Sequence, residues 1–111
     1  MEQYLGAKKI LRIYIDNEDK FNGKPLWQEL LKKVKECGLA GATVFKGVGG
    51  IGAHSEIKSF SVFVLSQELP VVIEIIDSKE NIENFLDIAD DMIEEGLVTI
   101  TDTHVIKYKH K

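Results

Sequence analysis

The chain has 111 residues, 44% hydrophobic and 29% charged, which suits one domain spanning 1–111 and excludes a disordered chain. Its 14 basic and 18 acidic residues leave a net charge of −4, which argues against nucleic acid as a partner. Cys37 is the single cysteine, so no internal disulfide forms, and no run approaches the ~18 apolar residues of a membrane span; a cytoplasmic location is expected.

Residues 8–16 alternate, with Leu11, Ile13 and Ile15 on one side and Arg12, Tyr14 and Asp16 on the other. This pattern predicts the first strand. Residues 17–24 are polar, contain Gly23 and predict a loop. Pro25 suits the first position of a helix that runs to about Cys37, with Trp27, Leu30, Leu31 and Val34 on one face. Gly38 can end that helix in the left-handed conformation.

A second strand is expected over 41–48. The glycine-rich segment Gly47, Gly49, Gly50 and Gly52 follows, then polar residues 53–59 and an apolar stretch over 60–65. Pro70 opens the strand 71–77, where a first residue need not donate to a ladder. Ser78 is a candidate N-cap for a second helix. Ile82, Phe85, Leu86, Ala89, Met92 and Ile93 share its apolar face, and Gly96 closes it. Residues 97–111 predict a last strand, bent near Asp102.

The order is β-α-β-β-α-β, which defines an α+β, ferredoxin-like fold: an antiparallel four-stranded sheet with two helices on one face. The helix-free face would carry Tyr14, Val72, Ile76 and Ile106. That surface is too apolar for open water, and oligomerisation would bury it.

Gly47-Val48-Gly49-Gly50-Ile51-Gly52 matches G-x-G-x-x-G. A dinucleotide site needs a helix to begin at that turn, and the polar sequence after it gives no such start. No Gly-Lys-Ser/Thr follows to make a P-loop. The glycines either free the backbone to leave the sheet or form a nest of N–H groups for a phosphate. Lys107, Lys109 and Lys111 share one side of the last strand. With Lys46 they either line an anion site or form a solvated edge that discourages aggregation. His54, His104 and His110 match no ligand spacing, so no metal is expected. Asp90-Asp91 and Glu94-Glu95, near the end of the second helix, read as a solvated outer face or, as the lesser alternative, an electrostatic docking patch for a basic partner. No nucleophile or general base stands out, so an enzyme is not expected.

Phe45-Lys46-Gly47-Val48-Gly49, then His54-Ser55-Glu56, then Leu69-Pro70-Val71-Val72-Ile73-Glu74-Ile75 resemble the PII signalling proteins. Lys24-Pro25-Leu26 and Gly38-Leu39-Ala40-Gly41-Ala42-Thr43-Val44 are closer to a PII-like group, the domain-of-unknown-function family 190. The resemblance covers nearly the whole chain. It implies a homotrimer with adenine-nucleotide sites (AMP, ADP or ATP) or small-anion sites in the clefts between subunits. A mobile loop, about 50–69, would report occupancy to a protein partner such as a membrane transporter or channel. It places Lys46, Gly47, Gly49, Gly50 and Gly52 at the loop base, and Lys107 and Lys109 where the family carries two arginines for phosphate.

Four departures qualify it. The family's Gly-Asp-Gly-Lys segment is replaced by Glu95-Gly96-Leu97-Val98, and Ile51 stands where a glutamine holds phosphates and metal. Lysine in place of arginine loses the planar, two-pronged phosphate contact. Phe63 aligns near the tyrosine that PII proteins uridylylate, so that modification is not expected. The alternative is a ligand-free trimeric scaffold of the CutA type.

Overall fold

The computed structural model describes residues 4–51, 57–59 and 69–110, with residues 57–59 described by their backbone alone. The expected apolar stretch over 60–65, most of the expected loop, Gly52, His54 and Lys111 lie outside them.

Strand β1 spans Gly6–Asp16. A two-residue ribbon follows, β2 (Lys20–Phe21) against β3 (Lys24–Pro25). Here the expected loop is a tight hairpin. Asn22 and Gly23 take φ of 53° and 79°, the positive values that a primed two-residue turn requires. The ribbon sets Phe21 against the core.

Helix α1 spans Leu26–Glu36, with Pro25 one position earlier than expected, at the N-cap. Leu26, Leu30 and Val34 are buried, and Trp27 packs half-buried beside them. The helix ends in two reverse bonds. Gly38 N–H donates to Lys35 O at 3.1 Å and Leu39 N–H to Val34 O at 3.2 Å. With Gly38 at φ 73°, this is the Schellman closure. Buried Leu39 supplies its hydrophobic contact.

Strand β4 (Thr43–Lys46) is shorter than the expected 41–48. Strand β5 (Gly49–Ile51) leaves the sheet and pairs with β6 (Ile57–Ser59). Strand β7 (Pro70–Asp77) re-enters it. Helix α2 (Lys79–Ala89) starts at Ser78, whose hydroxyl accepts from Asn81 N–H at 3.2 Å. It stops before Asp90, and a single 3-10 turn, Asp90–Met92, carries the chain on. Asp90, Asp91, Glu94 and Glu95 therefore lie beyond the helix, not on its outer face. Strand β8 is Leu97–Val105.

The sheet order is β4-β7-β1-β8, antiparallel throughout. This is the expected ferredoxin-like arrangement, with β5 and β6 as an added ribbon. Leu11, Ile13, Ile15, Val71, Ile73 and Ile75 bury the helix-side face against Leu30, Ile82 and Phe85. Burying each such side chain contributes about 1.5–3 kcal/mol.

Two polar details fix the ends of this core. Asp77 is buried, and its carboxylate accepts from Ala40 N–H at 2.8 Å, Ser78 N–H at 2.7 Å and Asn81 Nδ2 at 2.9 Å. It ties the segment after α1 to the start of α2. Gly96 does not cap α2. Its backbone runs so close to β1 that an added Cβ would lie 2.8 Å from Tyr14 O.

Candidate functional site

The foot of the glycine-rich segment is built by contact with Pro70. Gly47 N–H donates to Pro70 O at 2.7 Å. A Cβ on Gly47 would lie 2.6 Å from Pro70 Cγ, so only glycine fits without displacing that ring. Beside it, Asn17 N–H donates to Leu69 O at 2.8 Å, which pins the start of β7 to the end of β1. Lys46, the last residue of β4, is exposed here. Neither Gly47 nor Gly50 has positive φ. The alternating handedness of a phosphate nest is therefore not made at these two glycines. Gly49 and Gly50 pair with Ser59 and Lys58, and no helix begins there.

Lys107 and Lys109 lie elsewhere. The last strand stops at Val105, opposite Gly6. Beyond Gly6 there is no β1 backbone left to pair with, and β8 is an edge strand, so residues 106–110 leave the sheet. Ile106, expected on the helix-free face, instead follows the strand and is 82% exposed. Tyr108 packs at a tilt against Tyr4, with ring centroids 4.7 Å apart, and against His110 at 5.5 Å. Tyr4 in turn donates its hydroxyl to Ile76 O at 2.6 Å. Burial pushes the Tyr4 phenol above its ordinary value, with smaller contributions from Asp77 and Tyr108.

The ladder shows how far Lys46 stands from the point where the tail leaves the sheet. Lys46 shares a row with Val71 and Ile15, whereas Val105 shares one with Gly6. Nine residues of strand at 3.3 Å separate those rows by about 30 Å. The chain thus leaves the sheet for its tail at the row farthest from Lys46.

The helix-free face reads as rows across the sheet. One row is Phe45, Val72, Tyr14 and Leu97; the next is Thr43, Glu74, Arg12 and Thr99. A third holds Ile76, Ile10 and Thr101. Phe45 is 50% and Leu97 58% exposed. Arg12 Nε donates to Glu74 Oε2 at 2.9 Å in the middle of this surface. Sequence alternation had singled out Tyr14, Val72 and Ile76. It missed Phe45, Leu97 and the ion pair, because β4 and β8 are too short or too mixed to show which face is which. No group of three His, Cys, Asp or Glu side chains is placed to hold a metal ion among the described residues.

Residues 8–105 match the family DUF190, described as an uncharacterized ACR. The chain belongs to the DUF190 family. A UPF0166 protein of Aquifex aeolicus is 44% identical over 99 residues, covering 89% of this chain and 93% of its own. The DUF190 chain also has the fold of CPII, a nitrogen regulatory PII-like protein from Thiomonas intermedia K12 whose structure was solved bound to ADP, AMP and bicarbonate. The TM-score is 0.72 at 18% identity, over 95% of this chain and 93% of that one. The divalent cation tolerance protein CutA1 from Thermus thermophilus has a similar fold, with a TM-score of 0.58 at 9% identity over 92% of this chain and 87% of that one. No helix among the described residues of the DUF190 chain is long and apolar enough to cross a membrane.

Proposed function

We propose that this chain is a cytoplasmic, non-catalytic PII-like regulator that assembles as a homotrimer and binds an adenine nucleotide or a small anion between subunits. The segment over about 50–69 then signals occupancy to a partner protein. One observation carries the reading. Lys46 closes β4 at one end of the sheet, and Lys107 and Lys109 follow β8 where it leaves the other end. Only a second copy can bring one chain's loop foot next to another chain's tail. The exposed row of Phe45, Tyr14 and Leu97 supplies an apolar surface for that assembly. The PII-like relative of the same fold was solved with ADP, AMP and bicarbonate bound, which makes those the first ligands to try.

The test combines a solution mass measurement with thermal-shift titrations of ADP, AMP, ATP and bicarbonate. The reading expects a trimer whose midpoint rises with ligand concentration, by the equivalent of about 2.7 kcal/mol at a hundredfold excess over Kd. Lys46→Ala and Lys107→Ala should each weaken that shift. A monomer that responds to no ligand refutes the reading. A trimer that responds to none favours the CutA-like scaffold, whose fold this chain also shares.

A further inference from the structure

The approach of the chain to β1 is bent and tied down. Gly6 opens the strand at φ 94°, a backbone conformation that favours glycine, so the residues before it turn off the line of β1. Lys8 Nζ donates to Leu5 O at 3.0 Å, which holds the backbone beside Tyr4. The Tyr4 hydroxyl donates to Ile76 O of β7 at 2.6 Å. Tyr4 is half-buried and is therefore fixed at its tip, on the sheet, and beside its base, through Leu5.

The tail uses this fixed ring. Val105 with Gly6 is the last pair of the β1–β8 ladder, so residues 106–110 follow without strand pairing. The contact that holds them is the Tyr108 ring, whose centroid lies 4.7 Å from that of Tyr4 at an interplanar angle of 56°. Tilted aromatic pairs of this kind attract beyond the area they bury. Because β1 lies between β7 and β8, the contacts from Ile76 through Tyr4 to Tyr108 tie the segment after β8 across β1 to β7. Lys107 and Lys109 flank Tyr108 directly and both are exposed. A fixed Tyr108 Cα therefore places each of their Cα atoms about 3.8 Å away.

We propose that Tyr4 is a positioning residue for the phosphate-binding lysines of the tail, acting through Tyr108 and touching no ligand itself. The inference rests on the functional reading above for what Lys107 and Lys109 bind, and on the intrachain contacts alone for how they are held. A lysine on a free tail has to be ordered when its ligand arrives, and that ordering is subtracted from the affinity. In a tail held beforehand, the backbone is ordered by folding and only the lysine side chains remain to be fixed. Tyr4 contributes two parts to this. Its ring meets Tyr108, and its hydroxyl gives the ring a fixed point on β7. Gly6 supplies the bend that brings both into place.

The test has two readouts on the full chain. Without ligand, amide NMR relaxation compares the parent with Tyr4→Ala, Tyr108→Ala and Gly6→Ala. The Lys107 and Lys109 amides should have order parameters near about 0.85 in the parent and below about 0.6 in each variant, while those of β1, β7 and β8 stay at the parent's values. Gly6→Ala alters neither ring nor lysine, so the same loss there shows that placement is what matters. Tyr4→Phe keeps the ring and loses the hydroxyl bond, and should lie between the parent and Tyr4→Ala. With ADP and AMP, calorimetric titration should give a Kd about tenfold higher for Tyr4→Ala and for Gly6→Ala. Lys107→Ala should weaken binding less in the Tyr4→Ala background than in the parent, because a misplaced lysine has less to lose. Tail amides as rigid in Tyr4→Ala as in the parent overturn the proposal. Lost tail order with unchanged nucleotide affinity overturns the positioning role, and so does an equal effect of Lys107→Ala in both backgrounds. A parent that binds neither nucleotide refutes that part of the functional reading and with it the ligand role of Tyr4, while the relaxation data judge the clasp on the tail by themselves.

Discussion

Gly96 offers the sharpest test of how the helices and β8 are joined. Replacing it with alanine would put a Cβ 2.8 Å from Tyr14 O, 3.2 Å from Ile15 Cγ2 and 3.4 Å from Ile93 Cγ2. The two methyl contacts are tight but can adjust. The carbonyl oxygen cannot, because Tyr14 is paired with Leu97 on one side and Val72 on the other. Moving it would disturb the middle of the sheet. Overpacking of this kind costs about 1–3 kcal/mol. An unfolding entropy of about 2.1 cal/mol/K per residue over 111 residues makes each kcal/mol worth about 4 °C in Tm. Gly96→Ala should therefore melt about 4–13 °C below the parent. The control is Gly41→Ala, where an added Cβ meets nothing within 4 Å and φ is not positive; its melting point should stay within about 2 °C. Both are measured by circular dichroism at one protein concentration, since assembly makes Tm concentration-dependent. If Gly96→Ala melts with the control, the close approach of β8 to β1 is wrong.

Asp77→Ala leaves three donors without their acceptor, two of them backbone amides, and should cost about 1–3 kcal/mol in denaturant unfolding. Faster hydrogen exchange at the Ala40 amide would localise the effect. Tyr4 gives a pH signature: because the folded state raises its pKa above 10.0, its share of stability is whole below pH 10 and is lost as pH rises through the folded value. Tyr4→Phe should flatten the fall in Tm between about pH 9 and 11, and an unchanged slope would contradict the buried phenol. Phe45→Ser with Leu97→Ser should lower the solution mass toward that of a single chain while the far-ultraviolet spectrum keeps its shape. Retention of the full assembly would show that the helix-free face is not where copies meet.

Much of the fold is legible because a few local rules agree with one another. Alternation in β1, the heptad-like face of α2, Ser78 at a helix start and Gly38 at a helix stop each have one structural solution that satisfies backbone and core together. The misses share a different cause. Gly96 looks like a helix terminator, but its small size serves a contact with Tyr14, far away in sequence. Asp77 looks like the polar end of a strand, yet it collects hydrogen bonds from Ala40, 37 positions earlier. Alternation continues to residue 111 and predicts a last strand over 97–111. What ends it is the position of Gly6 on the neighbouring strand, which no local pattern contains.

The same limit explains the candidate site. Sequence groups residues by chemical type, so Lys46, Lys107 and Lys109 fall naturally into one anion site. The antiparallel register then assigns each to a row. It ends β4 and β8 at rows about 30 Å apart. A patch of cations at each end of a domain is an incomplete site twice over, and contact between copies is what would complete both.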